Sequence, residues 1–125
     1  MKPANVVLLQ SDPHIAQMLF SSLSNSFHGV HLAQSVDDLR HATAKHRPNT
    51  IILDLESASL ADVEELKREF NGMRIICNHR VADEEMWMRT LTAGGDDCCS
   101  SSDTRAILSA AMRNSDTKIA RVMVA

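Results

Sequence analysis

The stretch Arg47-Pro48-Asn49-Thr50-Ile51-Ile52-Leu53-Asp54-Leu55 decides the fold. Thr50–Leu53 is β-branched and apolar with no polar alternation, which is the composition of a strand covered on both faces, as in a parallel sheet flanked by helices. One carboxylate, Asp54, closes the run. In open α/β sheets, ligand sites gather at that C-terminal edge of the strands. Pro48 ends the helix-period segment that precedes the strand.

Four further apolar segments read the same way: Val6-Val7-Leu8-Leu9, the weaker Val30-His31-Leu32-Ala33, Ile75-Ile76-Cys77, and the short Cys98-Cys99. The weakness of the second suggests an edge strand. Amphipathic stretches separate them. Ile15, Met18, Leu19 and Leu23 follow the i, i+3, i+4 rule after an Asp12-Pro13 start. Ser35 caps a segment carrying Val36, Leu39 and Ala42. Val63, Leu66 and Phe70 share a face before Asn71-Gly72. Asp83 opens a segment with Met88 and Leu91 inward that ends at Gly94-Gly95. Asp103 caps the last, with Ile107, Leu108, Ala111 and Met112 on its face. Five strands alternating with five helices predict βαβ units in a three-layer, doubly wound α/β domain with a five-stranded parallel sheet. The domain is expected over residues 1–114, with 115–125 a C-terminal tail or the start of a linker.

The 125 residues suit one domain, and a hydrophobic fraction of 44% is ordinary for a packed core. A net charge of -3 gives no basic stripe for nucleic acid, and no apolar run is long enough to span a membrane. Met1-Lys2-Pro3-Ala4-Asn5 runs into the first strand without a charged-then-apolar leader, so a cytoplasmic location is expected. Cys77, Cys98 and Cys99 have neither disulfide-framework nor metal-site spacing, and vicinal Cys98-Cys99 reads as two ordinary thiols on opposite faces of a strand. The pair His28 and His31 lacks a Cys or carboxylate to complete a metal site. The first turn, Gln10-Ser11-Asp12-Pro13, has no glycine, which disfavours a dinucleotide or phosphate loop and leaves a flavodoxin-like cofactor protein a remote alternative.

Taken in order, several motifs resemble the receiver domain of two-component response regulators: Val6–Leu9 followed by Ser11-Asp12-Pro13-His14-Ile15, Pro48-Asn49-Thr50 leading into Ile51-Ile52-Leu53-Asp54, and Leu91-Thr92-Ala93-Gly94-Gly95-Asp96-Asp97 before the fifth strand. The resemblance covers roughly residues 5–114 and implies strand order 2-1-3-4-5, the flavodoxin-like arrangement. It also implies that Asp54 stands where receivers accept a phosphoryl group. The family's acidic, Mg²⁺-holding pair falls on Gln10 and Ser11, with Asp12 next to it. The conserved lysine falls on Ser101, the Thr/Ser switch on His79 or, with a one-residue shift, on Asn78, and the aromatic switch on Cys98. The loop Glu56-Ser57-Ala58-Ser59-Leu60 lacks the usual Pro-Gly.

The resemblance therefore points to a pseudo-receiver. Asp54 is a vestigial phosphoacceptor, and Mg²⁺ binding at Asp54 and Asp12 is weak at best. No catalytic residue or other cofactor is expected. Signalling would run through protein contacts with a sensor kinase or effector, or through a homodimer using the fourth helix, fifth strand and fifth helix. Trp87, turned about 100° from Met88 and Leu91, is the candidate interface together with Met86 and Cys98. The alternative is a response regulator phosphorylated on Asp54 by a sensor histidine kinase.

Overall fold

The computed structural model describes residues 5–113, so the stretch 115–125 lies outside the described residues. The elements are β1 (Asn5–Leu9), α1 (Pro13–Ser24), β2 (Gly29–Ala33), α2 (Val36–His46), β3 (Thr50–Asp54), α3 (Leu60–Glu69), β4 (Arg74–His79), α4 (Glu84–Ala93), β5 (Asp97–Ser100) and α5 (Thr104–Met112). The strands form one parallel sheet in the order β2-β1-β3-β4-β5. This is the predicted flavodoxin-like architecture.

Local chemistry sets the helix starts. Asp12 accepts from the backbone N–H groups of His14 and Ile15 at α1, Ser35 from Asp38 at α2, Asp83 from Met86 at α4 and Asp103 from Ala106 at α5. Ser59 and Asp62 form a reciprocal capping box at α3. Each cap satisfies amides that the first helical turn leaves without partners.

Strand alternation divides the core in two. Val6, Leu8, Ile52, Ile76 and Cys99 face α1 and α5, packing on Leu19, Leu23, Phe27, Ile107, Ala110 and Ala111. Val7, Leu9, Ile51, Leu53, Ile75, Cys77 and Cys98 face the other way, against Leu39, Val63, Leu66 and Ala93 of α2, α3 and α4. Two helices thus cover one face and three the other. Emptying a fully buried position such as Leu53 by truncation to alanine costs about 2–5 kcal/mol. Cys98 and Cys99 are buried on opposite faces of the sheet, and burial pushes the neighbouring Cys77 thiol well above its ordinary value.

Three expectations of helix phase are corrected. Met18, Met88 and Met112, read as inward, are exposed. In α4 the buried positions are Thr90 and Ala93, with Met86 and Trp87 packed against the core beside them. The reason is steric: α4 lies close to the sheet through small residues. The Thr90 hydroxyl is satisfied within the helix by the Met86 carbonyl, 2.8 Å away, and a Cβ on Gly95 would come 2.6 Å from Thr90 Cγ2. Gly94, at φ 106°, supplies the left-handed turn that ends the helix.

At the open edge, His31 is engaged by α2 and β1, its Nε2 lying 3.3 Å from Asn5 Oδ1. Its ring stacks on His46 of α2, with centroids 3.6 Å apart. Burial, with help from His46 and Lys45, lowers the His31 pKa.

Candidate functional site

Asp54 ends β3 with its side chain fully buried. It lies between the ends of β1 and β4, because Leu53 pairs with Leu9 and Asp54 itself with Asn78. Four neutral donors meet the carboxylate. Oδ2 accepts from the Ser11 backbone N–H at 3.0 Å, from the Ser11 hydroxyl, and from the Ser57 hydroxyl at 3.0 Å. Oδ1 accepts from the Glu56 N–H at 2.9 Å. Burial on its own would raise the Asp54 pKa. The Ser11 hydroxyl, the Glu56 and Ser11 amides and the Ser57 hydroxyl together outweigh it, and the net shift is downward.

A second set of bonds lies beside the first. Asn78 Oδ1 accepts from Gln10 Nε2 at 2.8 Å and from the Ser101 hydroxyl at 2.9 Å, and Asn78 Nδ2 donates to the Leu53 carbonyl at 3.4 Å. Gln10 Oε1 in turn accepts from the Asp12 N–H. Two side-chain amides and one hydroxyl thus knit the ends of β1, β4 and β5 around β3. No cationic side chain takes part.

The positions singled out in the sequence separate into two groups. Gln10, Ser11, Asn78 and Ser101 converge near Asp54, and Asn78 rather than His79 projects into the pocket. His79 points elsewhere, accepting on Nδ1 from the Val81 N–H. Asp12 is spent as the α1 cap, and the Glu56 side chain pairs with Arg80 at 2.7 Å on the surface. Ser57 was not singled out by role. Its signal was its place three residues after Asp54, in the turn where Ser57 N–H and Ala58 N–H also bond the Asp54 carbonyl.

Mg²⁺ favours charged oxygen ligands. The two positions that would supply them carry an amide and a hydroxyl, both already engaged within the pocket. Among the described residues, no group of three or more His, Cys, Asp or Glu side chains is placed to hold a metal ion. The residues present do not fit a divalent-cation site.

The expected interface on α4 is also redrawn. Cys98 is buried, so it presents nothing to a partner. Trp87 is half-buried against the core and donates its indole N–H to Asp97 Oδ1 at 3.1 Å, with Met86 beside it. Its phase follows the core rather than opposing it.

No family model matches the chain, and no curated protein does. Solved structures do. The signal receiver domain of a two-component response regulator from Bacteroides fragilis superposes with a TM-score of 0.76 at 18% identity, over 90% of this chain and all of that one. The signal receiver domain of a DNA-binding response regulator from Colwellia psychrerythraea 34H gives 0.68 at 17% identity, over 75% of this chain and 82% of that one. The RcsB response regulator of Salmonella typhimurium gives 0.76 at 16% identity, over 87% of this chain and 57% of that one. At these identities the likeness establishes the fold, which is that of response-regulator receiver domains.

Proposed function

We propose that this chain is a receiver-like signalling domain of the phosphorelay type that works through protein contacts and needs no phosphate on Asp54. The observation that carries the reading is the bonding of Asp54: a fully buried carboxylate whose four donors are all neutral. Transfer of a phosphoryl group to such a carboxylate gathers negative charge on the transferred oxygens, and positioned positive charge has to offset it. Here hydroxyls and amides hold one negative charge and leave nothing to hold more. Losing one such electrostatic partner from an active site costs about 3–4 kcal/mol, or roughly 10²–10³ in rate.

In this reading the domain is cytoplasmic, catalyses no reaction of its own and carries no resident cofactor. Its partner is a sensor kinase, an effector or a second copy meeting the α4–β5–α5 surface, where on α4 Met88 rather than Trp87 is the exposed apolar residue. Intact-mass spectrometry after incubation with acetyl phosphate and Mg²⁺ tests it. The expected spectrum is that of the unmodified protein. Efficient addition of one phosphoryl group, absent in Asp54→Asn, would overturn the reading in favour of a phosphoaccepting response regulator.

A further inference from the structure

The wall of the Asp54 pocket continues outward into a groove of about 550 Å³ between α1 and the edge strand β2. One side is a single helical stripe, Pro13, Ala16, Gln17 and Phe20, at i, i+3, i+4 and i+7. It is distinct from the Leu19 and Leu23 stripe that α1 buries. Leu32 and Gln34 form the other side, and the Ser11 and Ser57 hydroxyls close the inner end.

Two features are unusual. Phe20 and Leu32 are 39% and 45% exposed, and neither packs into the core clusters. No charged side chain lines the groove among the described residues, although charged residues make up 23% of the chain. The volume is in the range of small-molecule sites, which are mostly apolar with a few convergent polar groups.

The hydrogen bonds at the inner end specify the polar chemistry. Both serine hydroxyls give their protons to Asp54 Oδ2, so what remains to them is acceptor lone pairs. A group meeting them must donate. An anion would face those lone pairs with the Asp54 charge behind them. A cation would leave water for a wall without a carboxylate, since the Asp54 oxygens are engaged by their own donors.

We propose that this groove binds a small uncharged molecule with an apolar body and a neutral N–H or O–H donor at one end. The body lies between Phe20 and Leu32, and the donor meets the Ser11 and Ser57 hydroxyls. Occupancy then bears directly on the bonds that hold Asp54. Binding stands on the groove alone, whereas its use as a signalling input in place of phosphate rests on the reading given under Proposed function.

The test is an ¹H–¹⁵N NMR titration of the whole chain with three probes of one shape: benzamide, N,N-dimethylbenzamide and benzoate. Benzamide is expected to shift the amides of Ser11, Ala16, Phe20, Leu32 and Ser57 saturably. The dimethyl amide, which has no donor, and the anion should each bind at least five-fold more weakly. Leu32→Asp should weaken benzamide about ten-fold, and Phe20→Ala, as an independent variant, several-fold, with the remaining spectrum unchanged. In Ser57→Ala the preference for benzamide over the dimethyl amide should shrink towards unity. Shifts that fail to saturate or map elsewhere, equal affinity for the dimethyl amide, or tightest binding by benzylammonium when it is added as a fourth probe would each overturn the proposal. Failure here leaves the acetyl-phosphate result untouched, and the reverse also holds, so the two readings fail separately.

Discussion

The two ends of the sheet hold their buried carboxylates in opposite ways. At the C-terminal end, Asp54 sits among hydroxyls and amides. At the N-terminal end, Asp96 takes the Lys67 ammonium at 2.9 Å and the Ile75 N–H at 2.8 Å. Asp97 takes the Trp87 indole, its neighbour's N–H at Cys98, and the Arg113 guanidinium at 3.4 Å. Arg74 reaches the last carbonyls of α5 there, including that of Ala110 at 2.9 Å. One end therefore ties α3 and the end of α5 to its carboxylates with cations and α4 with an indole N–H, while the other holds a charge with dipoles alone. Dipoles suffice to keep a carboxylate ionised, as the lowered Asp54 pKa shows. They are a poor means of drawing in further negative charge. At the end of the sheet where ligand sites gather in this fold, no cation reaches the buried carboxylate, and Arg80 at that edge is taken up by Glu56 on the surface.

The largest effect should come from the cationic end. Asp97→Ala leaves the Trp87 N–H, the Cys98 N–H and the Arg113 guanidinium without their shared acceptor. Removing one partner of a buried pair costs about 3–5 kcal/mol, and with Arg113 about one-third exposed the expected loss is about 3 kcal/mol. Urea unfolding followed by the fluorescence of Trp87, the single tryptophan, measures it. A loss smaller than that of the corresponding Asp54 variant would reverse the ranking of the two ends.

Asp54→Ala should cost about 2 kcal/mol at neutral pH, because four donors lose a buried charged acceptor. The sign is itself informative. A carboxylate crowded by other acids would be relieved by removal, whereas one surrounded by donors is missed. The folded-state pKa lies below the ordinary carboxylate value, so this contribution is complete above the unfolded-state pKa of about 3.9 and disappears as pH falls through the lower folded value. The stability gap between parent and variant, measured by urea titration at pH 7, 5, 4 and 3, should stay constant down to about 5 and then narrow. A gap that widens in acid would mean that Asp54 is held protonated.

Much of this contrast could be read from the residues, and the unread part has a common cause. The apolar run ending at Asp54 and the caps at Asp12, Ser35 and Asp103 are local signals, and each placed its element. Gln10, Ser11 and Ser101 converge because three strands end side by side, which the order of motifs was enough to indicate. The phase of α4 was not legible. Met88 and Leu91 look like a buried pair, while Thr90 and Ala93 look like ordinary surface residues, although Gly95, just past the helix end, leaves the room that Thr90 fills. Asp97 was hidden for the same reason, since its partners come from α4 and the end of α5. The Phe20 stripe was obscured by the stronger Leu19 and Leu23 stripe on the same helix.

The smallest effect separates charge from dipole directly. Lys67→Met removes the partly exposed ammonium from Asp96 while keeping an apolar stem, and Ser11→Ala removes one neutral donor from Asp54. Each should cost about 1 kcal/mol in dilute buffer. Their responses to salt should diverge. At about 1 M ionic strength the Debye length falls to about 3 Å, so the Lys67–Asp96 attraction, reached by solvent through the lysine, is screened and the cost of Lys67→Met should fall by about half. Ser11 is an exposed neutral donor to a buried carboxylate, so its bonds contain no ion pair for salt to screen. Since sodium chloride also shifts overall stability, the quantity to compare is the difference of each variant from the parent at equal salt. A salt-independent Lys67→Met, or a Ser11→Ala penalty that fades with salt, would show that the two ends are held by the same kind of force.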